Sequence, residues 1–116
     1  MALICAYPMY QMPELEPAVS AWWQGLRQHL VNQGLNDGDL PKLLIKPEDY
    51  YAHWRNPTLL LSQTCGFPLT HELHNQVQYV ATQSYQTAYT KGPTYCSLVL
   101  VHKTNSANHI DRKSVV

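Results

Sequence analysis

Leu59-Leu60-Leu61-Ser62-Gln63-Thr64-Cys65-Gly66-Phe67-Pro68 decides the fold class. Three leucines in a row followed at once by small polar residues read as a strand buried on both faces running into a loop. Pro68 then opens a helix predicted to run to about His74, so the polar residues sit between a strand end and a helix start. The same grammar begins the chain. Ala2-Leu3-Ile4-Cys5-Ala6-Tyr7 is apolar, Pro8 ends it, and Val19, Trp22, Trp23, Leu26 and Leu30 then fall on one helical stripe. Glu14, Glu16 and Pro17 suit that helix's start, with Pro17 at the first helical position, and Gly34 suits its end.

Between these anchors the signals are shorter. Asn36-Asp37-Gly38 is turn chemistry, and Leu43-Leu44-Ile45 is a short strand at best. Pro47-Glu48-Asp49 opens a second helix carrying Tyr50, Tyr51 and Trp54, which Asn56-Pro57 stops. Further on, Val77–Ala81 is predicted as a strand, Tyr85–Pro93 as a polar loop and Tyr95–Lys103 as a longer strand, with Ser114–Val116 starting another. Strands alternate with helices. The expected fold is therefore α/β, a mainly parallel sheet flanked by helices.

Composition narrows the function. The 116 residues carry 8 Lys+Arg against 8 Asp+Glu, and no stretch gathers more than two basic residues, so a nucleic-acid backbone binder is not expected. No apolar run approaches the about twenty residues that a membrane-spanning helix needs, so membrane insertion is not expected either. The three cysteines, Cys5, Cys65 and Cys96, form no Cys-x-x-Cys motif, and their spacing does not select a disulfide. His71-Glu72-Leu73-His74 lacks the zincin spacing. Neither a metal nor a cofactor is expected. Met1–Tyr10 lacks the basic start and cleavage site of a secretory signal, which predicts a cytoplasmic chain as encoded.

In an open parallel sheet, ligands bind beyond the carboxyl ends of the strands. Tyr7–Tyr10, Ser62–Gly66 and Thr82–Tyr85 meet that condition. The middle segment offers neutral side chains and backbone N–H groups at a predicted helix start, which suits an anion. A packing role competes, in which Ser62 and Thr64 merely cap the helix. Cys65 permits a second class, a thiol-dependent enzyme whose nucleophile is activated by the helix terminus. A third class is a small homodimeric interaction module that pairs through an open sheet edge.

Several of these pieces occur together: Tyr7-Pro8-Met9-Tyr10-Gln11-Met12-Pro13-Glu14, Trp54-Arg55-Asn56-Pro57, the segment 59–68 and Gly92-Pro93-Thr94-Tyr95-Cys96-Ser97. In combination the chain resembles the phosphate/phosphite/phosphonate branch of ABC-transporter substrate-binding proteins. That resemblance implies a type II periplasmic-binding-protein fold whose two lobes close on the ligand, with no catalysis. It makes residues 1–83 the first part of lobe 1. Residues 84–116 become a hinge-crossing strand and the start of a truncated lobe 2. It implies a small oxyanion ligand, an ABC permease as partner and a periplasmic location, at odds with the absent signal. It places Tyr10, Tyr50, Gln63, Thr64, Cys65, Gly66 and Tyr95 around the ligand, Thr64-Cys65 standing where relatives carry Tyr-Gly. A chain truncated in this way is expected to bind weakly or not at all.

Overall fold

Ile4–Cys5 (β1) and Leu59–Leu61 (β2) pair in parallel, with Ile4 opposite Leu59 and Cys5 opposite Leu61 across a bulge. The computed structural model describes residues 2–94, 98, 100–104 and 106. Ile4 N donates to Thr58 O at 3.0 Å and Ala6 N to Leu61 O at 3.1 Å, so the ladder takes in one residue after β1 and one before β2. The expected parallel α/β arrangement is present in this two-stranded form. Contacts divide the chain into two units, Met1–Gln78 and Tyr79–Val116.

In the first unit a 3₁₀ turn at Pro13–Leu15 leads into the long helix Glu16–Asn32 (α1). The helix thus starts one residue before Pro17, the expected first position. Val19, Trp22, Leu26 and Leu30 are half-buried and Trp23 is fully buried, so the apolar stripe faces inward as the spacing predicts. Trp22 packs on Tyr7 with ring centroids 4.3 Å apart, which seats α1 against the end of β1. Gly34 ends the helix at φ +105°, a conformation that disfavours any Cβ. Gly34 N bonds to Val31 O and Leu35 N to Leu30 O, the paired reversed bonds of a Schellman motif.

Residues 41–46 explain why the short Leu43–Ile45 strand does not form. Pro41 O accepts from Trp23 Nε1 (3.1 Å) and Arg27 Nε (3.2 Å), Lys42 O from Gln24 Nε2 (2.8 Å), and Ile45 O from Gln11 Nε2 (2.8 Å). Side chains of α1 and the β1 loop hold carbonyls that a sheet ladder would need. One sheet-like bond survives, Ile45 N to Cys5 O at 2.9 Å.

The second helix, Tyr50–Trp54 (α2), is capped by Asp49, whose carboxylate accepts from Ala52 N at 3.0 Å. After β2 the expected helix to His74 is only a five-residue π turn, Pro68–Glu72. Thr70 Oγ1 donates to Gly66 O at 2.9 Å, occupying the carbonyl that an α-turn would bond to Thr70 N. Leu73 N instead reaches Pro68 O at 2.8 Å, and Leu73 is 1% exposed. The core comprises Cys5, Ala6, Tyr7, Trp23, Leu40, Trp54 and Leu73.

The predicted strand Val77–Ala81 is absent. Arg55 donates to Gln76 Oε1 at 2.8 Å and Glu72 O at 3.2 Å, drawing the chain to the end of α2 rather than alongside β2. Tyr79 and Val80 are exposed, so nothing pairs or covers a strand there. In the second unit, hydroxyls stitch a loop, with Tyr85 Oη donating to Gln83 Oε1 and Thr90 Oγ1 to Tyr85 O. Of the predicted strand Tyr95–Lys103, the described residues 98 and 100–103 carry no strand, and Leu98 and Leu100 are exposed. Ser114–Val116 lie outside the described residues. Among the described residues no helix is long and apolar enough to cross a membrane.

Candidate functional site

Because β1 and β2 run the same way, the loops that follow them emerge at the same end of the sheet. Tyr7–Tyr10 and Ser62–Gly66 are 54 residues apart at their point of contact, where Met9 N donates to Gln63 Oε1 at 3.0 Å. Tyr10 closes the first loop, its N–H bonding to Tyr7 O at 3.2 Å and its ring lying 5.7 Å from that of Tyr7. Neither segment contains an Asp, Glu, Lys, Arg or His.

The second loop is held from beneath by α2. Trp54 Nε1 donates to Gln63 O at 3.0 Å, and His53 Nε2 lies 2.7 Å from Ser62 Oγ. Consecutive residues of the helix thus grip consecutive residues of the loop. His53 is only 5% exposed, and its Nδ1 has no hydrogen-bond partner among the described residues. Burial pushes the His53 imidazole below its ordinary pKa of 6.5, favouring the neutral ring.

Of the residues expected around a ligand, Tyr10, Gln63, Thr64, Cys65 and Gly66 share this end of the sheet. Gln63 and Thr64 are half-buried, while Cys65 and Gly66 are exposed. Tyr50 opens α2 and is 48% exposed, with its ring 5.8 Å from that of Trp54. Tyr95 lies outside the described residues. Ser62 and Thr64 do not cap the following turn: Ser62 Oγ pairs with His53, and Thr64 Oγ1 donates to Cys65 O at 3.1 Å. That turn is also too short to act as the expected helix-terminus anion site.

His53 and Trp54 are the residues that sequence reasoning missed. Both precede the loop they hold by nine positions, and no local pattern marks such a contact. The available hint was Trp54, an aromatic with a polar edge placed just before the leucine run of β2, whose three residues are half-buried rather than buried on both faces as expected. The thiols differ sharply. Cys5 is buried and its pKa is pushed up to about 11 by desolvation, whereas Cys65 stands in solvent. Both are free; Cys96 lies outside the described residues. Among the described residues no group of three or more His, Cys, Asp or Glu could hold a metal ion.

The chain matches no family model, no curated protein and no solved structure.

Proposed function

We propose that the chain binds a small oxyanion (phosphate, phosphite or a phosphonate) as the solute-binding component of an ABC transporter, without catalysing a reaction. The observation that carries this reading is the Met9–Gln63 bond, which joins the two loops beyond the carboxyl ends of a parallel strand pair. The joined loops offer hydroxyl, amide and backbone donors and no carboxylate, a lining that favours a desolvated anion. The resemblance in segments 7–14, 54–57 and 59–68 points to the same ligand class.

These loops form one face, and a ligand held from one face keeps much of its hydration. Binding is therefore expected to be weak, with a Kd near or above about 1 mM, corresponding to roughly 4 kcal/mol. Titration of ¹⁵N-labelled chain with phosphate, phosphite and methylphosphonate should shift the amides of Met9, Tyr10 and residues 63–66 saturably. Chloride at matched ionic strength should not. Shifts spread over the surface, or none for any of the three, would sink the proposal. Micromolar binding would overturn the expectation of a one-faced site.

The exposure of Cys65 favours a second reading, a thiol-dependent enzyme. Iodoacetamide labelling at mildly acidic pH separates the two. Under the binding reading Cys65 reacts no faster than free cysteine, while buried Cys5 is protected until the chain unfolds. Labelling of Cys65 many times faster than free cysteine would favour the enzyme.

A further inference from the structure

We infer that His53 is a positioning residue of the candidate site: its neutral imidazole holds the Ser62–Gly66 loop in place, and protonation of the ring releases that loop. Only the ligand arm of the test below rests on the proposed function.

Three contacts form a relay from α2 to the β1 loop. His53 Nε2 meets Ser62 Oγ at 2.7 Å, Trp54 Nε1 holds Gln63 O at 3.0 Å, and Gln63 Oε1 holds Met9 N at 3.0 Å. A neutral imidazole satisfies the first contact in either tautomer, because the Ser62 hydroxyl both donates and accepts. An imidazolium does not fit equally well. It carries N–H on both nitrogens, and Nδ1 would then be a buried cationic donor without an acceptor among the described residues.

The charged groups on α2, its cap and the π turn have other partners or stand in solvent. On α2 and its cap, Asp49 is bonded to Ala52 N, and Arg55 is bonded to Gln76 and Glu72 O. Tyr50 lies one turn before His53 and is exposed. β1 and its loop contribute Cys5, Tyr7 and Tyr10, β2 has no ionisable residue, and the second loop has only Cys65. On the π turn, His71 Nδ1 pairs with Thr70 Oγ1, and Glu72 is exposed. A proton on His53 is accommodated by moving the ring out, and Ser62 loses its anchor as it leaves.

Because the folded-state pKa lies below the unfolded value of 6.5, the unfolded chain takes up this proton first. His53 therefore costs no stability well above that pH, and stability falls as pH drops through the window between the two values.

The test follows His53 ring signals and the amides of Met9, Ser62 and Gln63 in the full chain from about pH 7.5 to 4.5, across the usual histidine range. Coincident midpoints for the ring and all three amides are expected. His53→Gln keeps a polar group within reach of Ser62 but cannot take up a proton in this range. Its three amides should be flat with pH. Should that variant fail to fold, Ser62→Ala leaves the imidazole and cuts the link, so the ring should titrate while the Met9 amide stays still. Unmoved amides through the wild-type ring titration would overturn the inference, as would pH dependence persisting in His53→Gln or a Met9 amide that still follows the ring in Ser62→Ala.

Inorganic phosphate supplies the ligand arm. The ratio of wild-type to His53→Gln affinity cancels phosphate's own protonation, and it should fall by about tenfold or more between the two ends of the pH range, equivalent to about 1.4 kcal/mol. A ratio that stays constant overturns release at the ligand. Absence of phosphate binding in both proteins, with the amides still tracking the ring, overturns the function proposal and upholds the loop clasp.

Discussion

Trp23→Ala is expected to destabilise the first unit by about 3–5 kcal/mol, a large part of the roughly 5–15 kcal/mol available to a typical domain. Trp23 is 1% exposed and is the largest fully buried side chain in the described structure. It acts twice. The ring fills the centre of the core, and Nε1 donates to Pro41 O at 3.1 Å. Truncation leaves a cavity and removes one of the bonds that hold residues 41–46 against α1. Trp23→Phe should cost clearly less, because it keeps most of the buried area and Arg27 Nε still serves Pro41 O at 3.2 Å. Urea unfolding followed by circular dichroism measures both. A midpoint shift for the alanine variant worth less than about 1 kcal/mol would show that the ring is not the keystone of this core.

The placement of Trp23 was legible because a five-residue stripe on a seventeen-residue helix is a strong periodic signal. The apolar runs at 2–7 and 59–61 were legible for a related reason: both lead into turn chemistry, which leaves little room for a helix. Gly34 gave away the helix end because its positive φ is a local requirement. What failed depended on distant partners. Leu43-Leu44-Ile45 has strand composition, yet its neighbourhood's carbonyls are taken by Gln11, Trp23, Gln24 and Arg27. Val77–Ala81 also has strand composition, but Arg55 pulls the preceding residues elsewhere.

The candidate site divides along the same line. That the loops after two parallel strands share one end is a topological rule and needs only the strand assignments. The individual bonds are another matter. Gln63 is expected among the residues around the ligand, but its side chain also ties the two loops together, a role set by a residue 54 positions away. His53 was passed over because a histidine in a short aromatic helix has no periodic signature. Its importance lies in its depth and its unpaired Nδ1, and both are tertiary properties.

Gln63→Glu is expected to abolish phosphate binding while leaving the fold intact, because it separates those two roles of Gln63. The Met9–Gln63 bond uses the side-chain oxygen as acceptor. A glutamate carboxylate can accept the same bond from the same N–H, so the loops stay joined. What changes is charge. At neutral pH the variant places a carboxylate between the loops, within contact distance of any anion bound there. Two like charges roughly 4–5 Å apart at an effective dielectric near 20 repel by about 3–4 kcal/mol, more than a hundredfold in affinity. Starting from millimolar binding, that removes measurable phosphate-induced amide shifts altogether. Gln63→Ala tests the other half, since it adds no charge but leaves Met9 N without its acceptor. It should weaken binding less than the glutamate variant while moving the Met9 amide more. If Gln63→Glu instead binds phosphate as the wild type does, the anion does not sit between these loops. The carboxyl ends of β1 and β2 would then serve the fold alone.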